Sequence, residues 1–585
     1  MSLFSKDLSR FGKKQMWALI AFIILIIFIS VFSFITLRAH FRETSDSPRS
    51  YSGASKDLTN LLKDVNTETI GRVPVSSTYT PPETDLLELL PDISRFPAQV
   101  FPPSGKLTAE IVTSTEKAIP SSPGTPGRWL IDMAEAFNAQ ERVIGGNMVA
   151  ISIRAIPSGV AADYIVKGKY VPDAFTPASR LWVDALAARG VTLDLITESL
   201  VGNVAGMAIK KENFSQILKQ YEAVNVDTVV RAVTAGELLF GYTSPNVSTT
   251  GANFLLTVLY GPLFDAPLHA PKRMLEFEKF QTKIPFIAYD TPLMVQSARR
   301  GMLDGFVLEH QQYKSSAELQ EGYEFVPFGL PHDNPLYSTH NISKQKKEIL
   351  LSFTEFCLEP ENQLLAQNQG FNLFQDYSFQ GNPKIGEELP EALELFRKNK
   401  RGGKKLIVAF VVDNSPSMAP YANPILSYMR HAANLIGQDS RVGLLSFDSK
   451  VSIHLPASGF DLPHRERFLQ SVSSLNFHNG ESDQNASALV NAILVAEKML
   501  LDERERNPEA ELIIIALSDG IVNFGHSYAK AHKTIQQLDV AIHALIFAGE
   551  SQDFQDLALD SGGTYLLTHD TFLDHGVKNF LVTIL

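Results

Sequence analysis

The run Leu406-Ile-Val-Ala-Phe-Val-Val412 is apolar at every position and breaks straight into Asp413-Asn-Ser415-Pro-Ser417-Met. A strand without alternation has to be covered on both faces, as a parallel strand between layers of helices is. Later runs fit the same sheet: Val442 to Phe447, Leu512 to Leu517 and Val540 to Phe547. Helical segments separate them, notably Ala486 to Leu501. Residues 403–585 therefore predict a doubly wound, Rossmann-like α/β domain. Loops at the carboxyl ends of strands in such a sheet converge on one crevice. Asp413, Ser415 and Ser417 follow one strand, and Ser518-Asp519-Gly520 follows another, so two carboxylates far apart in the chain can meet. Alternation along D-x-S-x-S puts its three side chains on one side of the loop. Carboxylates beside hydroxyls are hard oxygen donors, the set that suits Mg²⁺, with Mn²⁺ as substitute.

These turns, each placed after a buried strand, resemble the von Willebrand factor A domain and its metal-ion-dependent adhesion site. The resemblance covers residues 403–585 and implies a metal held by Asp413, Ser415, Ser417, Asp519 and one residue of a middle loop. Where the family has a threonine in a G-G-T-like turn, this chain reads Gly480-Glu-Ser482-Asp483-Gln-Asn. Ser482 is the expected hydroxyl ligand and Asp483 its rival, one register away. An aspartate there would leave the metal more neutralised and less drawn to an acidic partner. Serines in place of carboxylates leave the cation positive character and a replaceable water, which a Glu or Asp of a protein partner can displace. That is binding rather than turnover. An aspartyl nucleophile at Asp413 would need a second carboxylate two positions on, where Ser415 stands. His454, His464, His478, His526 and His532 fall in no placing motif, and there is no Gly-rich phosphate loop. An enzyme is not expected.

From about Lys106 the texture is one of short apolar runs alternating with helical periods. Leu107 to Thr113 and Met148 to Ile156 predict strands, while Trp129 to Ala139 and Ala252 to Leu259 have helical spacing. This rhythm predicts a second doubly wound α/β unit. Hydroxyls after its strands and before its helices form natural anion sites. The candidates are Thr113, Ser114 and Thr115, then Ser158, then Ser248 with Thr249; singly, each is more simply a helix cap or turn residue. Gly168-Lys-Tyr-Val-Pro172-Asp173-Ala-Phe-Thr-Pro177-Ala-Ser179, Gly241-Tyr-Thr-Ser-Pro245-Asn-Val-Ser248-Thr-Thr-Gly251, Leu303-Asp304-Gly305-Phe-Val-Leu-Glu309 and Gln363-Leu-Leu-Ala-Gln-Asn-Gln-Gly370-Phe371 resemble bacterial extracellular solute-binding proteins, in the branch related to molybdate-binding proteins. The resemblance implies a type II periplasmic-binding fold, two lobes joined by crossing strands and closing on a ligand. It places Ser114 and Ser158 in the cleft, with Ser248 as a further ligand-binding candidate. The ligand does not carry over.

Trp17 to Leu37 is uncharged and long enough, at 1.5 Å per residue, for a helix to cross about 30 Å of hydrocarbon. No A-x-A cleavage pattern follows it, so an uncleaved single-pass anchor is expected. Lys6, Arg10, Lys13 and Lys14 precede the span and fewer cations follow, which favours the N-terminus inside. In a bacterium the anchor would sit in the cytoplasmic membrane, with the bulk in the periplasm or outside. Expected boundaries are 1–16 inside, 17–37 transmembrane, 38–95 a flexible tether, 96–380 solute-binding-like, 381–402 a linker and 403–585 the A domain. Lys+Arg 52 against Asp+Glu 64 leaves net −12, which with no cation cluster argues against a nucleic-acid partner. A single cysteine excludes a disulfide scaffold.

The sequence thus predicts an envelope protein that binds an acidic protein partner through a divalent cation, the middle domain serving as sensor or scaffold. The alternative is a tethered receptor delivering a small solute to an ABC-type transporter. A third possibility joins them, lobe closure changing how the A domain is presented, with the segment Phe572 to Leu585 as readout.

Overall fold

The computed structural model describes residues 51–71, 90, 93–261, 267–285, 287–288, 291–299, 303–374, 376–379, 385–399, 404–477, 486–547, 549, 551–568, 577, 580–581 and 584–585. The expected membrane span 17–37, the turn holding Ser482 and Asp483, and most of 572–585 lie outside them. Among the described residues no helix is long and apolar enough to cross a membrane. Contacts divide the chain at Thr59, and the described residues from Asn60 to Leu585 fall in the second of the two units. The second carries the three sheets.

The middle of the chain forms two lobes. The sheet of the first has the order Ala98–Val100, Asn147–Ala155, Leu107–Thr113, Ala174–Thr176, Leu336–Thr339, Leu193–Thr197. Leu107–Thr113 runs parallel to Asn147–Ala155, with Ile111 opposite Ile153, and helix Trp129–Ala139 connects them. That helix buries Trp129, Leu130, Met133, Ala134 and Phe137, the apolar spacing that the sequence displays. The sheet of the second lobe is Ile287–Ala288, Phe240–Thr243, Gly305–Glu309, Asn203–Lys210, Tyr323–His332. The chain crosses between lobes after Thr197 and after His332.

The C-terminal sheet has the order Thr67–Thr69, Val451–Gly459, Arg441–Phe447, Leu406–Asp413, Glu511–Ser518, Ala541–Phe547, Tyr565–Thr568. All eight residues of Leu406–Asp413 are buried, as its unbroken apolarity requires. It is parallel to both neighbours, pairing Val412 with Ser446 on one side and with Leu517 on the other. Of the C-terminal segment, Val577, Phe580, Leu581 and Ile584 are described; they are helical and pack into this domain's core.

Two segments expected as connectors carry structure. Within 38–95, Tyr51–Leu61 is a helix and Thr67–Thr69 is the edge strand of the C-terminal sheet, pairing with Val451–Ile453. Within 381–402, Leu389–Asn399 is a helix whose Leu389, Ala392, Leu393 and Phe396 join the core of the two lobes. Apolar residues at that spacing give a helix a face to bury, so the segment packs instead of swinging.

Candidate metal centre

Asp413 ends the central strand, and the turn after it is built on its own carboxylate. Ser415 N–H donates to Asp413 Oδ1 at 3.0 Å, the local bond that makes aspartate a natural turn former. The chain then enters a short 3₁₀ turn, Pro416–Tyr421, and the helix Ala422–Leu435. In-register pairing with Glu511–Ser518 sets Ser518 beside Asp413, and Ser518 Oγ donates to Asp413 Oδ2 at 2.7 Å. Ser417 Oγ donates to Asp519 Oδ2 at 2.8 Å and lies 3.0 Å from Ser415 Oγ. Ile521 N–H closes the second turn on Asp519 Oδ1 at 3.0 Å. Gly520 follows at φ +76°, and a Cβ there would lie 2.4 Å from Ser551, so only glycine fits.

The structure therefore gathers Asp413, Ser415, Ser417 and Asp519, four of the residues expected from the sequence. It adds two hydroxyls that the sequence reading did not assign. Ser518 is one. Ser487 is the other, just ahead of helix Leu489–Arg504, with its Oγ 3.4 Å from Asp413 Oδ2. In sequence Ser487 belongs to the same polar run as Ser482 and Asp483. Its backbone N–H is held by Asn523 Oδ1 at 2.6 Å.

Burial pushes the Asp413 carboxyl up to about 6, its hydrogen bonds from Ser415 and Ser518 pull it down, and the charge of Asp519 adds to the rise. Among the described residues no lysine, arginine or histidine forms an ion pair with Asp413 or Asp519. Two carboxylates converge with four hydroxyls and, among the described residues, with no cationic side chain paired to them. That donor set fits a hard divalent cation. No group of three carboxylate, imidazole or thiol ligands occurs among the described residues, so any cation here would lean on the serines.

The three serines expected to bind a ligand, Ser114 and Ser158 in the cleft and Ser248 beside them in the same reading, are all engaged internally. Ser248 caps helix Thr249–Tyr260 by accepting from Gly251 N–H at 3.3 Å, and Thr243 Oγ1 donates to it at 2.9 Å. Ser158 accepts from Ala178 N–H at 3.3 Å. Ser114 donates to Glu116 and accepts from Lys117 Nζ at 2.5 Å. Lys117, Glu116, Glu309 and His332 form a polar cluster there that the sequence reading missed, although Glu309 ends one of its quoted motifs. His332 Nδ1 donates to Glu309 Oε1 at 2.8 Å, and Asn203 Nδ2 donates to Oε2 at 3.1 Å.

No curated protein matches the chain. The family described as bacterial extracellular solute-binding protein matches residues 121–372, and the von Willebrand factor type A domain matches residues 408–574. Solved structures with a similar trace include an aerotolerance-related membrane protein from Bacteroides fragilis, 14% identical over 31% of this chain and 100% of that one, at a TM-score of 0.25. BatB from Bacteroides thetaiotaomicron is 14% identical over 28% of this chain and 89% of its own, at 0.23. The sulfate-binding protein SubI from Mycobacterium tuberculosis is 14% identical over 50% and 90%, at 0.33. The order of the two family matches follows the order of the two folds, and the chain is thus an extracellular solute-binding domain followed by a von Willebrand factor A domain.

Proposed function

We propose that the protein is a membrane-anchored envelope component whose A domain binds an acidic side chain of a protein partner at a divalent cation, Mg²⁺ or Mn²⁺. The observation that carries this reading is the convergence of Asp413 and Asp519 with Ser415, Ser417, Ser487 and Ser518, without a cationic side chain among the described residues paired to either carboxylate. Asp413, Ser415, Ser417 and Asp519 would hold the ion, with Ser482 or Asp483 completing the set. A bound divalent cation supplies an electrophilic site that a partner carboxylate can ligate. The chain's part is to hold the donors in place. Ser518 and Ser415 N–H fix the Asp413 carboxylate, and Ser417 with Ile521 N–H fixes that of Asp519. The solute-binding-like domain is sensor or scaffold. The segment 17–37 would hold the N-terminus inside and the bulk in the periplasm or outside.

The test is a thermal scan of the detergent-solubilised full chain. Mg²⁺ at about 100 times its dissociation constant contributes about 2.7 kcal/mol and raises Tm. Asp413→Ala should abolish the rise, while chelator lowers the wild type alone. A rise that survives Asp413→Ala would place the cation elsewhere. The second reading, a tethered receptor for a small solute, has the family match of the middle domain in its favour.

A further inference from the structure

Near the junction of the two lobes a buried lysine has every one of its donors bonded by the protein itself. Lys117 is wholly buried, and its ammonium has three N–H donors. Its three acceptors are Ser114 Oγ at 2.5 Å, Thr176 O at 3.0 Å and Asn334 Oδ1 at 3.0 Å. Ser114 and Thr176 stand at strand ends of the first lobe, and Asn334 lies on the crossover. Glu116 Oε1 is 3.7 Å away, and Glu309, at the end of a second-lobe strand, adds its charge. Three acceptors at these strand ends and on the crossover, Ser114 Oγ, Thr176 O and Asn334 Oδ1, therefore already hold an ammonium.

The lobes are also in direct contact. Trp182 Nε1 of the first donates to Thr249 Oγ1 of the second at 3.0 Å. Gly159 lies so close to the opposite lobe that a Cβ on it would be 2.4 Å from Asn246 O. The segment from Ile385 to Asn399 then ties both lobes together. Gly386 packs on Leu181 and Asp184 of the first lobe. Glu388 accepts from Tyr260 of the second, and the Phe396 ring lies 6.5 Å from that of Tyr242.

We propose that Lys117 is the resident ligand of the two-lobed domain, whose ammonium replaces a free solute so that the lobes stay closed without one. The domain is then a fixed scaffold, and not a solute sensor or transport receptor. This resolves the open role of the middle domain and does not depend on the metal centre.

The experiment uses the full chain in detergent, and sulfate, phosphate, molybdate, glucose and glycine as probes. A solute at about 100 times its dissociation constant would raise the midpoint of a domain of this size by about 5–10 °C. Wild type should show no rise with any probe. Lys117→Ala should melt lower, and methylammonium or ethylammonium should restore it where sodium at equal ionic strength does not. In a second measurement, spin labels at Lys169→Cys and Lys219→Cys report the interlobe distance with Lys117 intact. One narrow distribution, unchanged by the probes, is expected. A saturable rise in Tm with a probe, failure of the alkylammonium rescue in a folded Lys117→Ala protein, or a longer distance that shortens with a probe would each overturn the proposal. Should Lys117→Ala not fold, the label distances and the wild-type scan decide it.

Discussion

At the scale of single residues, Glu497 is the group least at ease in its surroundings. It lies on helix Leu489–Arg504, fully enclosed, and neither carboxylate oxygen has a hydrogen-bond partner among the described residues. Burial alone raises its pKa well above the ordinary value. Below pH 4.5 the folded and unfolded chains both hold this proton, and the group does not affect stability. Above pH 4.5 the unfolded chain releases it first, so stability falls by up to about 1.4 kcal/mol per pH unit until the folded carboxyl ionises too. Glu497→Met should therefore raise Tm at pH 7.5, with the gain shrinking as the pH approaches 4.5. A gain independent of pH would show that Glu497 is charged or solvated in the fold. The site residues show which single positions a sequence displays. Asp413, Ser415, Ser417 and Asp519 were readable because each follows an apolar run that can only be a buried strand end. Lys117 was not readable, because its partners Thr176 and Asn334 stand 59 and 217 positions away. Ser487 is hidden because Ser482 and Asp483 lie nearer the glycine turn that the motif calls for.

Among the elements, the strand Thr67–Thr69 has the most consequence for its size. Strand Val451–Gly459 would otherwise present an open edge, a template for pairing with other chains. Thr67–Thr69 lies along it in parallel. Val451 N–H donates to Asn66 O at 3.0 Å, and Ile70 N–H donates to Ile453 O at 2.9 Å. Glu68 receives Lys450 Nζ at 2.7 Å and Ser452 Oγ at 2.6 Å, though a pair this exposed adds little stability. His526 Nε2 holds Leu61 O at 2.8 Å just upstream. The segment that leads from the N-terminus is thus clipped to the A domain before the chain goes on to the lobes. Ile70→Pro removes one of the bonds and should speed hydrogen exchange at Val451, leaving exchange in the two lobes unchanged. Unaltered protection at Val451 would mean that the clip does not depend on this pairing. Thr-Glu-Thr has no apolar member and its partner lies 384 positions on, so nothing local announced a strand. Helix Leu389–Asn399 is a different case. Its apolar residues 389, 392, 393 and 396 were spaced for a helix, and the polar and basic residues around them made the segment read as a joint.

Over the whole molecule, the question is whether the lobes behave as two bodies or one. A continuous apolar core answers it. Val160, Tyr164, Phe175 and Trp182 of the first lobe share one cluster with Phe240, Tyr242, Phe254 and Phe280 of the second, and Leu389, Leu393 and Phe396 of helix Leu389–Asn399 belong to it. A hinge needs an interface that parts at small cost, and separating these side chains would return buried apolar surface to water, at about 25 cal/mol per Å². A smaller cluster joins the second lobe to the A domain, where Leu559 and Tyr565 pack with Met294, Leu303 and Phe306. The segment Ile385–Asn399 precedes in the chain the central strand that ends at Asp413, so the candidate site follows a body whose lobes are sealed. Phe396→Ala is the discriminating change. Removing a buried phenyl ring costs about 3–5 kcal/mol. In one cooperative body that loss should quicken hydrogen exchange in helix Leu181–Ala188 of the first lobe as well as in helix Thr249–Tyr260 of the second. If only the second lobe loosens, the lobes are energetically separate, and the domain keeps the freedom to open that a solute receptor requires.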